Sequence, residues 1–150
     1  MPTRKGSVVK YFWEIWTRFL DDLEETNGCV VVEGIHDREI LVKLDVPPEK
    51  VVVVGSHDLD SVIIHIVNNY GCVYLFLDRD YRGKLKMLAL RKKLLSEGVC
   101  VIDLWEYVLS PLKRYGFKSI RKVEEMKTFA VFLRERNPAP IKMLRRLVFQ

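Results

Sequence analysis

A chain of 150 residues, 49% hydrophobic and 30% charged, has the length of one domain and enough apolar side chains for a core. That composition excludes a disordered, collagenous or low-complexity polypeptide. The longest apolar runs, such as Phe129–Leu133, are too short to cross a bilayer, so no membrane association is expected.

The net charge of +5 is unevenly spread. Residues 111–150 carry 11 Lys/Arg against 3 Asp/Glu, and residues 1–110 carry 14 against 17. A slightly acidic body with a basic extension points to a polyanionic partner; a solvated helix surface has the same composition. Lys10 and Glu14 interrupt any secretory apolar region. Cys29, Cys72 and Cys100 form an odd set without a CxxC motif, which suggests neither a disulfide framework nor a zinc knuckle. A cytoplasmic location is expected. One Gln and four Asn against 45 charged side chains match the composition of thermophile proteins.

In chain order, the pattern predicts an amphipathic helix over 8–26, with Phe12, Ile15, Trp16, Phe19 and Leu23 at spacings of three and four and a stop at Asn27-Gly28. Four apolar runs follow, at 29–32, 51–54, 73–77 and 99–102, each closed by Gly or Asp. Continuous rather than alternating hydrophobicity marks strands buried on both faces. Helical patterns at 37–44, 58–69 and 84–96 separate them, the last carrying Leu85, Leu88, Leu94 and Leu95. Strands alternating with helices imply right-handed βαβ crossovers and a parallel sheet. The expectation is a single α/β domain, three-layered and Rossmann-like, with a four-stranded mainly parallel sheet. Its core covers about 28–104, preceded by the N-terminal helix and followed by a basic helical extension at 111–150. The extension reads as helices near 119–136 and after Asn137-Pro138-Ala139-Pro140.

Ligands of open parallel sheets gather at the carboxyl ends of strands, and here those ends deliver carboxylates: Glu33, then Asp78 and Asp80, then Asp103. Residues i and i+2 leaving a strand face one side, so Asp78 and Asp80 address one point. Glu33 joins them if the first and third strands are neighbours. At ~4 Å each like-charged pair costs about 1 kcal/mol in water and about 4 kcal/mol at an effective dielectric near 20. A proton, an Arg/Lys partner or a hard cation must offset that repulsion, and oxygen-only donors in an open site suit Mg²⁺. The simpler alternative is that Asp78 or Asp80 caps the following helix and that Arg79 and Arg82 neutralise them.

The stretches Val30-Val31-Val32-Glu33-Gly34-Ile35-His36-Asp37 and Tyr74-Leu75-Phe76-Leu77-Asp78-Arg79-Asp80-Tyr81-Arg82-Gly83 together resemble the Toprim domain of primases, topoisomerases and several nucleases. Five motif positions match: Glu33, Gly34, Asp37, the Asp78/Asp80 pair and Gly83. The resemblance covers about residues 28–104. Within the family, the Asp-x-Asp-Tyr-x-Gly form and Gly55-Ser56 are most similar to the ribonucleases that mature 5S ribosomal RNA. His36 stands where those enzymes usually carry an acidic residue, and residues 105–150 are unmatched.

The resemblance implies Mg²⁺-dependent (or Mn²⁺-dependent) phosphodiester chemistry on RNA or DNA by a small nuclease. Glu33, Asp78 and Asp80 would be both metal-holding and catalytic. Gly34, Asp37, Gly83 and Lys84 would support them, with Asp37 orienting its loop and the glycines admitting a phosphate. The basic extension, Arg121, Lys122, Lys142, Arg145 and Arg146 in particular, would grip the nucleic-acid backbone. Two other readings stay open: a non-catalytic nucleic-acid-binding accessory protein, and a subunit of a primase-like or other processing complex. The apolar N-terminal helix suggests a surface for a second copy. His36, His57 and His65 are expected to be structural, with His65 in the core or at its boundary. The cysteines are expected to be buried, the tryptophans to pack between helices, and Ser56 and Asp58 to cap the helix at 59–69.

Overall fold

Four mainly apolar runs form the central sheet of the protein, seen in a computed structural model that describes residues 4–111. The strands are β1 (Gly28–Val32), β2 (Val51–Val53), β3 (Cys72–Leu75) and β4 (Cys100–Asp103). They pair parallel throughout, in the order β2-β1-β3-β4, with Val31 opposite both Val52 and Leu75 and Cys72 opposite Cys100. The helices are α1 (Arg4–Glu25), α2 (Ile35–Lys43), α3 (Leu59–Asn69), α4 (Tyr81–Ser96) and α5 (Leu104–Leu109), with a 3-10 turn at Pro48–Lys50. The helices anticipated at 119–136 and beyond Pro140 lie outside the described residues. So do Arg121, Lys122, Lys142, Arg145 and Arg146.

The period-two geometry of the strands divides their side chains between two cores. Val30, Val32, Cys72, Tyr74 and Phe76 face α1, α2 and α5. Cys29, Val31, Val73, Leu75 and Leu77 face α3 and α4. This is the three-layer α/β architecture that the alternating pattern implied. The N-terminal helix belongs to it: Phe12, Trp16, Phe19 and Leu23 are buried on the sheet of their own chain, and Trp16 Nε1 donates to Leu44 O at 2.7 Å. The apolar stripe that suggested a second copy is therefore covered by this chain's own strands. Each large apolar side chain so buried contributes about 2–3 kcal/mol. Asn27, at φ 49°, supplies the left-handed residue that ends α1, and Gly28 already begins β1.

Several local expectations change. Helix α4 starts at Tyr81, three residues earlier than the apolar spacing suggested, because Asp80 caps it. Its sheet-facing side is Gly83, Met87, Leu90 and Leu94, whereas Leu85, Leu88 and Leu95 stay exposed. The leucine-rich stretch has apolar residues on two faces, and spacing alone does not select the inner one. His65 is exposed beside Asn69 rather than in the core or at its boundary. Asp58 occupies the N-cap position of α3 but accepts from the Ser61 hydroxyl at 3.4 Å, with no bond to backbone, and Ser56 lies exposed in the loop before it. Cys100 is exposed. Helix α5, begun by an Asp103 cap, was not anticipated, because six residues carry too little periodicity to register.

Candidate active site

The connections from β1 to β2 and from β3 to β4 leave the middle of the sheet in opposite directions, so the order reverses between β1 and β3. Such a reversal leaves a crevice outside the carboxyl ends of the two central strands. Glu33 follows β1 directly, and Asp78 follows the chain beyond β3, where Phe76 N still donates to Val31 O at 2.9 Å. Two of the carboxylates expected to meet thus leave neighbouring strands on either side of the reversal.

Their side chains do not close on one point. Glu33 Oε1 accepts from Lys86 Nζ, a bond that ties the loop after β1 to α4. Both partners are about one-third exposed, at 31% and 36%. Glu33 Oε2 is buried without a hydrogen-bond partner among the described residues. Asp80 is the N-cap of α4, its Oδ1 accepting from Gly83 N at 2.7 Å. Asp78 faces a separate cleft of about 130 Å³ between α4 and α5, lined also by Arg79, Lys84, Asp103 and Trp105. Neither Glu33 nor Asp80 lines that cleft. Among the described residues, no three His, Cys, Asp or Glu side chains form a group able to hold a metal.

The supporting residues fall into place for local reasons. Asp37 Oδ2 accepts from Gly34 N at 3.1 Å, a capping interaction that starts α2 and fixes the loop carrying Glu33. A Cβ on Gly83 would lie 1.8 Å from the Asp78 carbonyl oxygen, so glycine is required there by the chain's own backbone rather than by a phosphate. Gly34 is different. Its φ of −138° suits any residue, and a Cβ would meet nothing nearer than Asp37 Oδ2 at 4.0 Å. Lys84 is exposed on the rim of the Asp78 cleft.

Two participants were missed from sequence. Lys86 lies three residues after Gly83 and four before Leu90, on the side of α4 that faces the sheet; a lysine inside that stripe was the available signal. Trp105 donates from Nε1 to Leu77 O at 2.6 Å and lies beneath the Arg79 guanidinium, 5.7 Å from its ring centre. It anchors the β3 exit on which Asp78 sits. Asp103, counted among the strand-end carboxylates, is engaged as the cap of α5 through Trp105 N at 2.9 Å.

The donor types nevertheless suit a hard cation: all are carboxylates, and one buried oxygen of Glu33 has no partner. In the arrangement described, the counter-charge at Glu33 is the Lys86 ammonium.

No family model matches this chain, and no curated protein does. A solved structure of a protein from Aquifex aeolicus is similar in fold, with a TM-score of 0.58 at 21% identity, over 73% of this chain and 94% of that one. That likeness supports the α/β architecture and extends no further.

Proposed function

We propose that the protein carries out Mg²⁺-dependent phosphodiester chemistry on nucleic acid, as a small Toprim-like nuclease. The observation that carries this reading is the placement of Glu33 and Asp78 on either side of the strand-order reversal between β1 and β3. It is supported by the unpartnered buried oxygen of Glu33. In this reading Glu33, Asp78 and Asp80 would hold the cation only after turning from the partners they have here, Lys86 for Glu33 and Gly83 N for Asp80, and Lys86 takes the cation's electrostatic place beside Glu33 until then. When bound, Mg²⁺ supplies polarisation of a phosphoryl oxygen and stabilisation of negative charge on the oxygens exchanged at phosphorus.

The chain's own groups do the rest. The open space over Gly34 admits a phosphate oxygen close to the backbone. Lys84 offers an ammonium at the cleft rim. Lys86, released from Glu33, is a second cation for the phosphate backbone. Asp37 keeps the Glu33 loop in register through its bond to Gly34 N.

The test is cleavage of a mixed RNA and DNA panel by the full chain, with and without Mg²⁺ or Mn²⁺, beside Glu33→Gln, Asp78→Asn and Asp80→Asn. Metal-dependent cleavage lost in the variants is the expected result; equal cleavage by all three variants overturns it. A second reading, nucleic-acid binding without cleavage, is favoured by one observation: Lys86 and Gly83 N already engage Glu33 and Asp80. Salt-sensitive binding of the same panel with no product at any metal concentration would select it.

A further inference from the structure

Cys72 opens β3 and Cys100 opens β4, and the two are direct partners in the parallel register. Their side chains lie on the same side of the sheet, with Cys72 Sγ 2.7 Å from Cys100 Sγ. Neighbouring strands run about 4.8 Å apart, inside the range of about 4.4–6.8 Å that a disulfide spans between α-carbons. Three cysteines allow three pairings, and the fold leaves one. Cys29 points into the opposite core, with Val31, Val73 and Leu75, and is fully buried.

We propose that Cys72 and Cys100 form an intrachain disulfide, made by exchange with a low-molecular-weight disulfide. The two thiols differ in access, and that sets the order of events. Cys72 is 1% exposed, whereas Cys100 is open to solvent at the sheet edge. Burial first, and then contact with Cys100, pushes the Cys72 thiol up to about 12. Cys100 therefore reacts first: its thiolate attacks the external disulfide RSSR, forming Cys100–SR and expelling one RS⁻, which takes up the proton released by Cys100. Cys72 Sγ then loses its proton and attacks Cys100 Sγ, and the second RS⁻ leaves and is protonated. Overall, two protein thiols and one RSSR become one protein disulfide and two RSH.

The consequence is local. β4 is an edge strand, held on one side only. A bond between its first residue and the first residue of β3 closes the segment containing Asp78, Asp80 and all of α4 into a covalent loop. A link of this kind restricts the unfolded chain more than the folded one.

The full chain is equilibrated in glutathione mixtures from reduced to oxidised, quenched with acid, and its thiols alkylated in denaturant. On the oxidised side one alkylated cysteine, Cys29, is expected, with a peptide pair joining Cys72 to Cys100; three are expected on the reduced side. The oxidised form should melt on the order of 10 °C higher, a difference absent from Cys100→Ser. Comparing wild-type protein in both redox states gives the same answer if that variant fails to fold. Three alkylated thiols in every mixture, glutathione retained on Cys100, or a reducible dimer through Cys100 would each overturn the proposal.

Discussion

Lys86 on α4 donates to Glu33 beyond β1, so the helix following the third strand supplies the counter-charge for the carboxylate following the first. The residues are 53 apart in sequence and meet only because β1 and β3 are neighbours. With both partners about one-third exposed, screening keeps the pair's contribution near ~1 kcal/mol. Lys86→Met should lower stability by about that amount in metal-free buffer. Mg²⁺ should recover more stability in the variant than in the parent, because the competing ammonium is gone. Urea denaturation at several Mg²⁺ concentrations measures both, and identical curves with and without Mg²⁺ in both proteins would remove the metal from the site.

Asp80 has a structural duty as the α4 cap and a proposed catalytic one, and two substitutions separate them. Serine keeps the cap, so Asp80→Ser should stay within about 0.5 kcal/mol of the parent, while Asp80→Ala should lose about 1 kcal/mol. Both should lose metal-dependent cleavage. If Asp80→Ser cleaves normally, Asp80 is a cap and nothing more.

The two motif glycines should behave oppositely. Gly83→Ala places a methyl group 1.8 Å from the Asp78 carbonyl oxygen and must shift backbone, at a cost of about 3 kcal/mol or more. Gly34→Ala meets nothing closer than 4.0 Å and should alter stability by less than about 0.5 kcal/mol. It should still impair cleavage by filling the space proposed for phosphate. Thermal melts and activity of the two variants check the contrast.

Alkali should unfold the reduced protein early. Burial pushes the thiols of Cys29 and Cys72 up to about 12 from an ordinary value of 9.0. The unfolded chain releases these protons near pH 9 while the folded one holds them. The stabilisation is therefore complete below pH 9 and is lost as pH rises toward 12. Tyr107, raised mainly by burial and by its bond to Asp22, acts in the same direction above pH 10. Urea midpoints measured from pH 8 to 11 should fall steadily, and Cys29→Ala should flatten the slope.

How far the sequence reached depended on the range of the interaction involved. The apolar strand runs, the helical spacing of Phe12, Trp16 and Phe19, and a helix cap at Asp80 were legible because each arises within a few residues of chain. The acidic strand ends could be named for the same reason. Burial, by contrast, belongs to the packed molecule. Leu88 reads as core by composition but is 57% exposed, since the other face of α4 meets the sheet.

Strand order, and with it every relationship across the sheet, was decided by tertiary structure alone. It placed β1 beside β3, gave Glu33 to Lys86 and set Cys72 against Cys100. The local pattern specifies that a strand exists and which of its faces are apolar. Which strand lies next to it is a choice among global packings, made by burying two hydrophobic faces at once and by the handedness of the crossovers.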